Sequence, residues 1–548
     1  MSSEPTAAAT ADAQGQAAPP PTTSGRAVAR NTAIFSIATG LSRIAGLVRE
    51  IVASSYFATS GAFSAFTIAF QVPNVVRSLF ADAALSAAFV PVFTELLEQG
   101  RRKEAFRLAS TLFFLILTVL GAISVLFIVA AGVVMPLVTG GTFSSELDQL
   151  TVGLSRVLFP VVVILGLNGL VVGVLNAYDH FAIPALSPLV WNFVILCCLV
   201  VSNQILSGNE QLYGYAVGVV AGTAVQFGMA LPQLRRLGFA LQLSLDFKDP
   251  RVRQVLRLML PVTIGLGLIN FNLLINSTLG SLVSDQAARA IDAAFRIYML
   301  PQGMFSVAIA TVLFPTLSRL AARKDLDGLR TLTANGMRQV FLLLIPAAAA
   351  TLALSTPITR LIYQHGAFGP GSTRLVSSAL FWFSFSLPFS GVNLLLTRTF
   401  FSLQRPWITT GIAALNLGVN VAVSVALYKP FGIPGIVVGT AASSAAMTFA
   451  QIHYLRRELH GRLEGRRTAI VVAQMVGASA LLGGVAYGTW KVLDEALGRG
   501  LFGQIASVGA GLGLGAVVYA STVHLLRIPE ARQIERLLAG RLLHRDKR

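Results

Sequence analysis

The sequence predicts an all-α polytopic membrane protein of about fourteen transmembrane helices. Two parallel six-helix repeats are followed by two extra C-terminal helices. Three observations predict it. Of 548 residues, 54% are hydrophobic and only 12% are charged, about half the charged share of a soluble domain, ~25%. Mean hydropathy is +0.70 over the whole length, which places most of the chain in lipid. The chain also resembles itself at a shift of about 222 to 225 residues.

Residues 1–30 are rich in Ala, Pro, Thr and Gln without periodicity, so they read as a disordered cytoplasmic tail. No apolar core marks that tail as a signal peptide. Fourteen apolar stretches follow, punctuated by Gly, Pro and charge: 31–57, 63–94, 106–138, 151–177, 184–206, 212–234, 254–284, 288–318, 332–362, 373–403, 406–428, 433–455, 468–492 and 502–526. Each is about long enough to cross a bilayer as a helix. The expected organisation is an N-lobe at 31–237 (six helices), a C-lobe at 250–460 (six more) and extra helices at 468–527. A basic cytoplasmic tail closes the chain at 528–548.

The repeat orders these elements. Gly169 through Pro184 matches Gly391 through Pro406 in spacing, and Pro91 falls on Pro315. AFQVP at 69–73 resembles AFRIYMLP at 294–301. Six spans separate the copies. An even number leaves both halves pointing the same way, with the pseudo-twofold along the membrane normal and a substrate site expected between them.

The net charge of +18 is a topology signal. Alternate connections carry 29 Lys and Arg on one side of the membrane and 5 on the other. Basic connections stay cytoplasmic, so both termini are expected there, and nucleic-acid binding is not indicated. Arg289 counts among the five on the charge-poor side. Cys197 and Cys198 are adjacent in an apolar run and point to neither a bridge nor a metal. The six histidines make no metal-ligand spacing, and no catalytic acid, base or metal constellation is evident. The reading is therefore a non-enzyme with no cofactor.

Eight basic residues lie within the spans. Those near span ends can snorkel. Arg43, Arg49, Arg77 and Arg296 sit deeper, where an unpaired charge costs at least ~2.5 kcal/mol. On the first helix, Arg43 and Glu50 share a face, relieved by Gly40 and Gly46. Arg77 follows Pro73, and Arg296 precedes Pro301 and Gly303. Charges beside helix breaks at related places in two repeats point to a transport site. Four guanidinium forks suit a phosphate or pyrophosphate. The competing reading is structural: the same arginines pair with Glu50, Asp82 and Asp292 to lock the bundle. Asn276, Asn416 and Asn420 could form a weak cation site, or hydrogen-bond between helices.

SRIAGLVRE at 42–50, QVPNVVRSLFADAALSAAFVPVF at 71–93 and AFRIYMLPQGMFSVAIATVLFPTLSRLAAR at 294–323 resemble the MurJ (MviN-type) lipid II flippases of the multidrug/oligosaccharidyl-lipid/polysaccharide exporter superfamily. The resemblance runs from about 31 to 527. It implies two six-helix lobes around a central cavity, with the last two helices forming a lipid-facing groove. It implies movement of undecaprenyl-pyrophosphate-linked peptidoglycan precursor to the outer leaflet of the bacterial cytoplasmic membrane, for cell-wall synthesis. The family's cavity arginines fall on Arg43, Arg49, Arg77 and Arg296, and its acids on Glu50 and Asp82. Several family acids are absent: Ser64, Phe295 and Asn276 stand at their positions, and Ser78 replaces an arginine. Glu50 is then expected to position Arg43 or Arg49, or to carry the coupling. Implied partners are lipid II, membrane lipids and cell-wall synthesis enzymes, with the chain a monomer. Rival readings are export of another polyprenyl-linked saccharide or of a drug, and a degenerate transporter acting as a cell-wall scaffold.

Overall fold

The computed structural model describes residues 25–532, apart from 81–82, 179, 240, 243–245, 247–248, 460 and 462. Side chains at 25–37, 79–87, 261–262, 266 and 269 also lie outside the description. Among the described residues every regular element is a helix. The N-terminal half comprises α1 (Gly25–Phe57), α2 (Gly61–Phe80), α3 (Ala83–Glu98), α4 (Arg102–Val138), α5 (Ser145–Leu158), α6 (Pro160–Ala177), α7 (Ala182–Ile205) and α8 (Glu210–Arg236). The C-terminal half comprises α9 (Pro250–Ser281), α10 (Ala287–Pro301), a π turn (Gln302–Ser306), α11 (Val307–Ala322), α12 (Leu326–Ala353), α13 (Ser355–Tyr363), α14 (Pro370–Ser384), α15 (Leu387–Ser402), α16 (Pro406–Phe431) and α17 (Ile433–Glu458). A hairpin of α18 (Gly465–Leu497) and α19 (Leu501–Leu525) ends the bundle.

Among the described residues, eleven helices or continuous helix pairs are long and apolar enough to cross a membrane. The α14–α15 pair, bent by 51°, brings the number to twelve when it is taken as one broken span. The first two expected spans fall on α1 and on α2–α3, which are helical but outside that count.

Local chemistry sets the helix starts. Ser144 accepts from the Leu147 amide at 3.3 Å, and Glu146 and Asp148 occupy the first turn of α5, where acids oppose the helix dipole favourably. Asp249 caps α9 ahead of Pro250, and Asp325 caps α12 through the Gly328 amide at 2.8 Å. Arg235 and Arg236 close α8, and Arg456 and Arg457 close α17. These ends belong to the basic face of the bundle, and the opposite face is the charge-poor end.

Burial collects into two hydrophobic cores, one built mainly from residues 53–259 and the other from 279–528. The halves meet through repeat-related contacts at the charge-poor end. The 139–142 segment packs on the end of α9: Thr142 Oγ1 donates to Ser281 O and Ser281 Oγ to Thr139 O, each 2.9 Å. At a shift of 224, the 363–367 segment packs on the end of α1, where the Ala367 amide donates to Ser55 O at 2.8 Å. Gly366 makes that approach possible. Its φ is +58°, and a Cβ would lie 2.5 Å from Ser55 O. Thr59 and Ser372 hydroxyls also meet there at 2.8 Å.

Although a break was expected at Pro73, α2 runs unbroken through that residue to Phe80. A proline can bend a helix without ending it.

Arg338 and Arg360, two of the eight basic residues within the expected spans, tie the α18–α19 hairpin to the C-terminal half. Arg338 is 0% exposed and holds Glu530 at 2.5 Å and Glu464 at 2.9 Å. Arg360 reaches Asp494 at 3.6 Å near the far end of α18. Within the hairpin, Gly511 and Gly515 bring α19 onto Ala486 and Leu482 of α18. Arg338→Ala would leave Glu530, itself buried, without a counter-charge. Breaking a buried pair in this way costs about 3–5 kcal/mol. The variant should melt well below wild type in detergent, as read by fluorescence-detected size exclusion.

Candidate functional site

The first helix directs its three charges to three different neighbours. Glu50 is 3% exposed and faces α10. Arg49 is buried, with its guanidinium 4.8 Å from the Trp191 ring of α7. Its Nε has no hydrogen-bond partner among the described residues. Arg43 is exposed and lies against the π turn.

The π turn explains the Arg43 contact. A Cβ on Gly303 would meet Arg43 Nη1 at 2.9 Å, so bare backbone leaves room for the guanidinium. Gly46 does the same for Asn192, whose amide would be 3.5 Å from a Cβ there. Asn192 Nδ2 in turn donates to Ser42 O at 3.3 Å. Gly40 has nothing within 4 Å.

Glu50 does not pair with Arg43 or take a hydrogen bond from Arg49. Its partners are Arg289 and Arg296. Arg289 Nη2 donates to Glu50 Oε1 and to Ser54 Oγ at 2.7 Å. Arg296 Nε lies 3.3 Å from Glu50 Oε2 and 2.9 Å from Asp292 Oδ2. Arg289 Nη1 holds the same Asp292 oxygen at 2.9 Å. Two carboxylates and two guanidiniums thus form one cluster across α1 and α10. A carboxylate this deeply buried requires such partners, because an isolated buried ion costs several kcal/mol.

Arg289 is the residue that sequence reasoning missed. Its place in the charge count made it an exposed connection residue, yet it lies in the first turn of α10, 1% exposed. The available signal was periodicity. Arg289, Asp292 and Arg296 are spaced i, i+3, i+7, one face of a helix.

The cluster leaves Arg296 half available. Its Nε is engaged, while the side chain remains 36% exposed. Gly303, where Arg43 rests, is seven residues along, about 10.5 Å or two turns. The accessible guanidiniums of Arg43 and Arg296 therefore line the same stretch of helix from opposite halves of the molecule. Arg77 lies in the last turn of α2. Asn74 Oδ1 accepts from its Nε at 3.1 Å and its Nη2 at 2.9 Å. Asp82 lies outside the described residues.

The asparagines form an amide ladder between α9, α16 and α17. Asn272, absent from the sequence reading, donates to Asn416 Oδ1 at 2.6 Å. Asn420 Nδ2 donates to Asn272 and Asn276 oxygens at 3.0 and 3.1 Å. Asn276 Nδ2 donates to Thr440 at 3.0 Å, and Ser424 donates to Asn420 at 3.3 Å. All four amide oxygens accept a hydrogen bond, which is the interhelical-glue arrangement.

Comparison with known proteins places this geometry. The profile of the lipid II flippase MurJ family matches residues 53–506. This chain belongs to the lipid II flippase MurJ family. A Rhizobium meliloti (strain 1021) protein described as a probable lipid II flippase MurJ is 29% identical over 455 residues, 80% of this chain and 83% of that one. A Vibrio cholerae serotype O1 protein of the same description is 28% identical over 509 residues, 90% and 95% of the two chains. Among solved structures, "Lipid II flippase MurJ, inward closed conformation" has a TM-score of 0.75 at 21% identity, covering 90% of this chain and 99% of that one. An inward-facing MATE transporter of the MOP superfamily has a TM-score of 0.64 at 14% identity, covering 76% and 94%. These two likenesses show the shared fold. The family profile begins three residues after Glu50, so Arg43, Arg49 and Glu50 precede the matched stretch.

For this MurJ-family chain, Gly303→Leu should push the Arg43 guanidinium off the π turn. Inorganic pyrophosphate binding by the purified protein should weaken on the order of tenfold, with the melting temperature close to wild type. Calorimetric titration and a thermal scan check both.

Proposed function

We propose that this chain is a lipid II flippase that moves undecaprenyl-pyrophosphate-linked peptidoglycan precursor from the inner to the outer leaflet by alternating access. The supporting observation is the arrangement of Arg43 and Arg296. Each belongs to a different half, and both are accessible along one stretch of helix. Guanidiniums so placed can grip the oxygens of one pyrophosphate from both lobes. Among the described residues, Arg43, Arg49, Arg77, Arg289 and Arg296 stand against only Glu50 and Asp292, so the site carries net positive charge and favours an anion. Arg49 and Arg77 complete the pyrophosphate clamp.

The basic face is cytoplasmic and holds both termini. Along α1, Leu41, Ile44 and Val48 are exposed, whereas Arg49, Glu50, Ala53 and Ser54 are buried. Along α10, the π turn and α11, Ala287 through Ile291 are buried without a break, whereas exposed Met304, Val307 and Val312 alternate with buried Ser306, Ala310 and Leu317. The buried Glu50–Arg289 pair and the Thr59–Ser372 contact at the charge-poor end fit a state sealed at the outer end and open toward the cytoplasm. The headgroup enters there, the pyrophosphate seats on the arginines, and rocking of the lobes opens the outer end. The polyprenyl tail stays in lipid or along the α18–α19 hairpin, which its buried ion pairs fasten to the C-terminal lobe. The chain acts as a carrier, not an enzyme, in the bacterial cytoplasmic membrane, supplying cell-wall synthesis.

Arg43→Ala and Arg296→Ala should each lower lipid II translocation on the order of 100-fold, the loss of one strong charge-assisted contact. The measurement is leaflet-resolved lipid II in vesicles holding equal amounts of folded protein. Full activity of Arg43→Ala would sink the clamp. An imposed potential acts on the positive site at about 2.3 kcal/mol per charge per 100 mV. It should therefore change the rate of carrier reset, and an unchanged rate would exclude that drive.

A further inference from the structure

We infer that Arg289 is a positioning residue for the anion site and the bond that holds the outer end shut. This deepens the flippase reading and rests on its alternating-access geometry. The side chain starts on α10 of the C-terminal half and ends among groups of the N-terminal half. It bonds Glu50 and Ser54 of α1, and its guanidinium lies 4.1 Å from the Phe63 ring of α2. Its own backbone amide donates to Ser64 Oγ at 3.3 Å. Ser64 and Arg289 are 225 residues apart, the repeat shift itself, so the contact joins repeat-related positions.

The positioning role follows from charge. Glu50, Asp292, Arg289 and Arg296 sum to zero. Because Arg289 takes one oxygen of Glu50 and shares one of Asp292, Arg296 satisfies what remains with Nε alone. Its other nitrogens are left for an incoming anion. Without Arg289, both carboxylates turn to Arg296 and compete with that anion. A residue that no substrate could reach thereby sets how strongly an exposed one binds.

The sealing role follows from place. Opening the outer end pulls α1 and α2 away from α10, and the Arg289–Glu50 bond has to break. Its loss strands no charge. Water entering the opened end solvates Glu50, and Asp292 keeps Arg289 and Arg296 on the other half. The bond therefore closes the end without making opening prohibitive. The Thr59 and Ser372 hydroxyls, 2.8 Å apart at the same end, offer a reporter.

The test uses the full chain with Thr59→Cys and Ser372→Cys, crosslinked oxidatively in vesicles, alongside titration with inorganic pyrophosphate. Arg289→Gln should cut crosslinking several-fold and weaken pyrophosphate binding on the order of tenfold, although Arg296 is intact. Glu50→Gln with Arg289→Gln restores charge balance. It should recover pyrophosphate binding while crosslinking stays low, a split that a merely structural role would not produce. Arg289→Lys should retain part of the closure, since an ammonium lacks the planar fork. Should Arg289→Gln fail to fold, Ser54→Ala and Phe63→Leu should shift crosslinking the same way, by less. Wild-type crosslinking and binding in folded Arg289→Gln would overturn the inference, as would equal loss of binding in the double variant. A double-cysteine protein with Arg289 intact that shows the crosslink and binds pyrophosphate but moves no lipid II would remove the flippase reading and leave this one standing.

Discussion

Glu50 belongs to one half of the molecule and its strongest partner, Arg289, to the other. Both are almost fully buried. In a low-dielectric interior neither can stand alone, because each unpaired ion would cost several kcal/mol. Joining them fixes α1 against α10, and this in turn brings Ser54 to Arg289 and Ser64 to the α10 backbone. The same joint anchors Arg296 by one nitrogen and leaves the rest of its fork accessible. Packing at the charge-poor end and presentation of an accessible guanidinium are two results of one buried pairing.

The parallel repeat explains why the joint lies where it does. Contacts between the 139–142 segment and α9 have counterparts between the 363–367 segment and α1. The charges do not follow that symmetry. The C-terminal half supplies Arg289, Asp292 and Arg296 on one helix, while the N-terminal half supplies Arg43, Arg49 and Glu50 on another. A symmetric scaffold thus carries an asymmetric site. The π turn at 302–306 serves it by placing Gly303 under Arg43. The α18–α19 hairpin stands outside the repeat. Its attachment through Arg338 and Arg360 is another case of buried charge fastening one helix to another.

Much of this was legible in one dimension, because lipid allows little choice. Backbone groups in hydrocarbon must be satisfied internally, so long apolar runs become helices. Basic connections alternate with charge-poor ones for the same kind of reason. The deep positions of Arg43, Arg49 and Arg296 stood out as costly charges, and Pro301 and Gly303 marked the change of helix type. Asn416 and Asn420 announced an interhelical contact, but their bridging partner Asn272 carried no comparable signal, since one Asn on a long helix is unremarked until a neighbour meets it.

Arg289 shows the limit of such reading. Counted along the chain it is one more basic residue beside a connection. Its role depends on α1 arriving from 239 residues away, and helix spacing says which residues share a face without saying what that face meets. The expected grip of Glu50 on Arg43 or Arg49 failed for the matching reason, while its pairing with Arg296 is the competing structural reading of the same charges. Arg49 is the neighbour of Glu50 in sequence, yet consecutive helical residues diverge by about 100°, and Arg49 turns to Trp191. The sequence by itself determined the helices, their repeat and the positive character of the site, because hydrophobicity, spacing and charge are local quantities. Only the tertiary structure decided which carboxylate answers which guanidinium, because that pairing is set by the distance between halves that the chain brings together late.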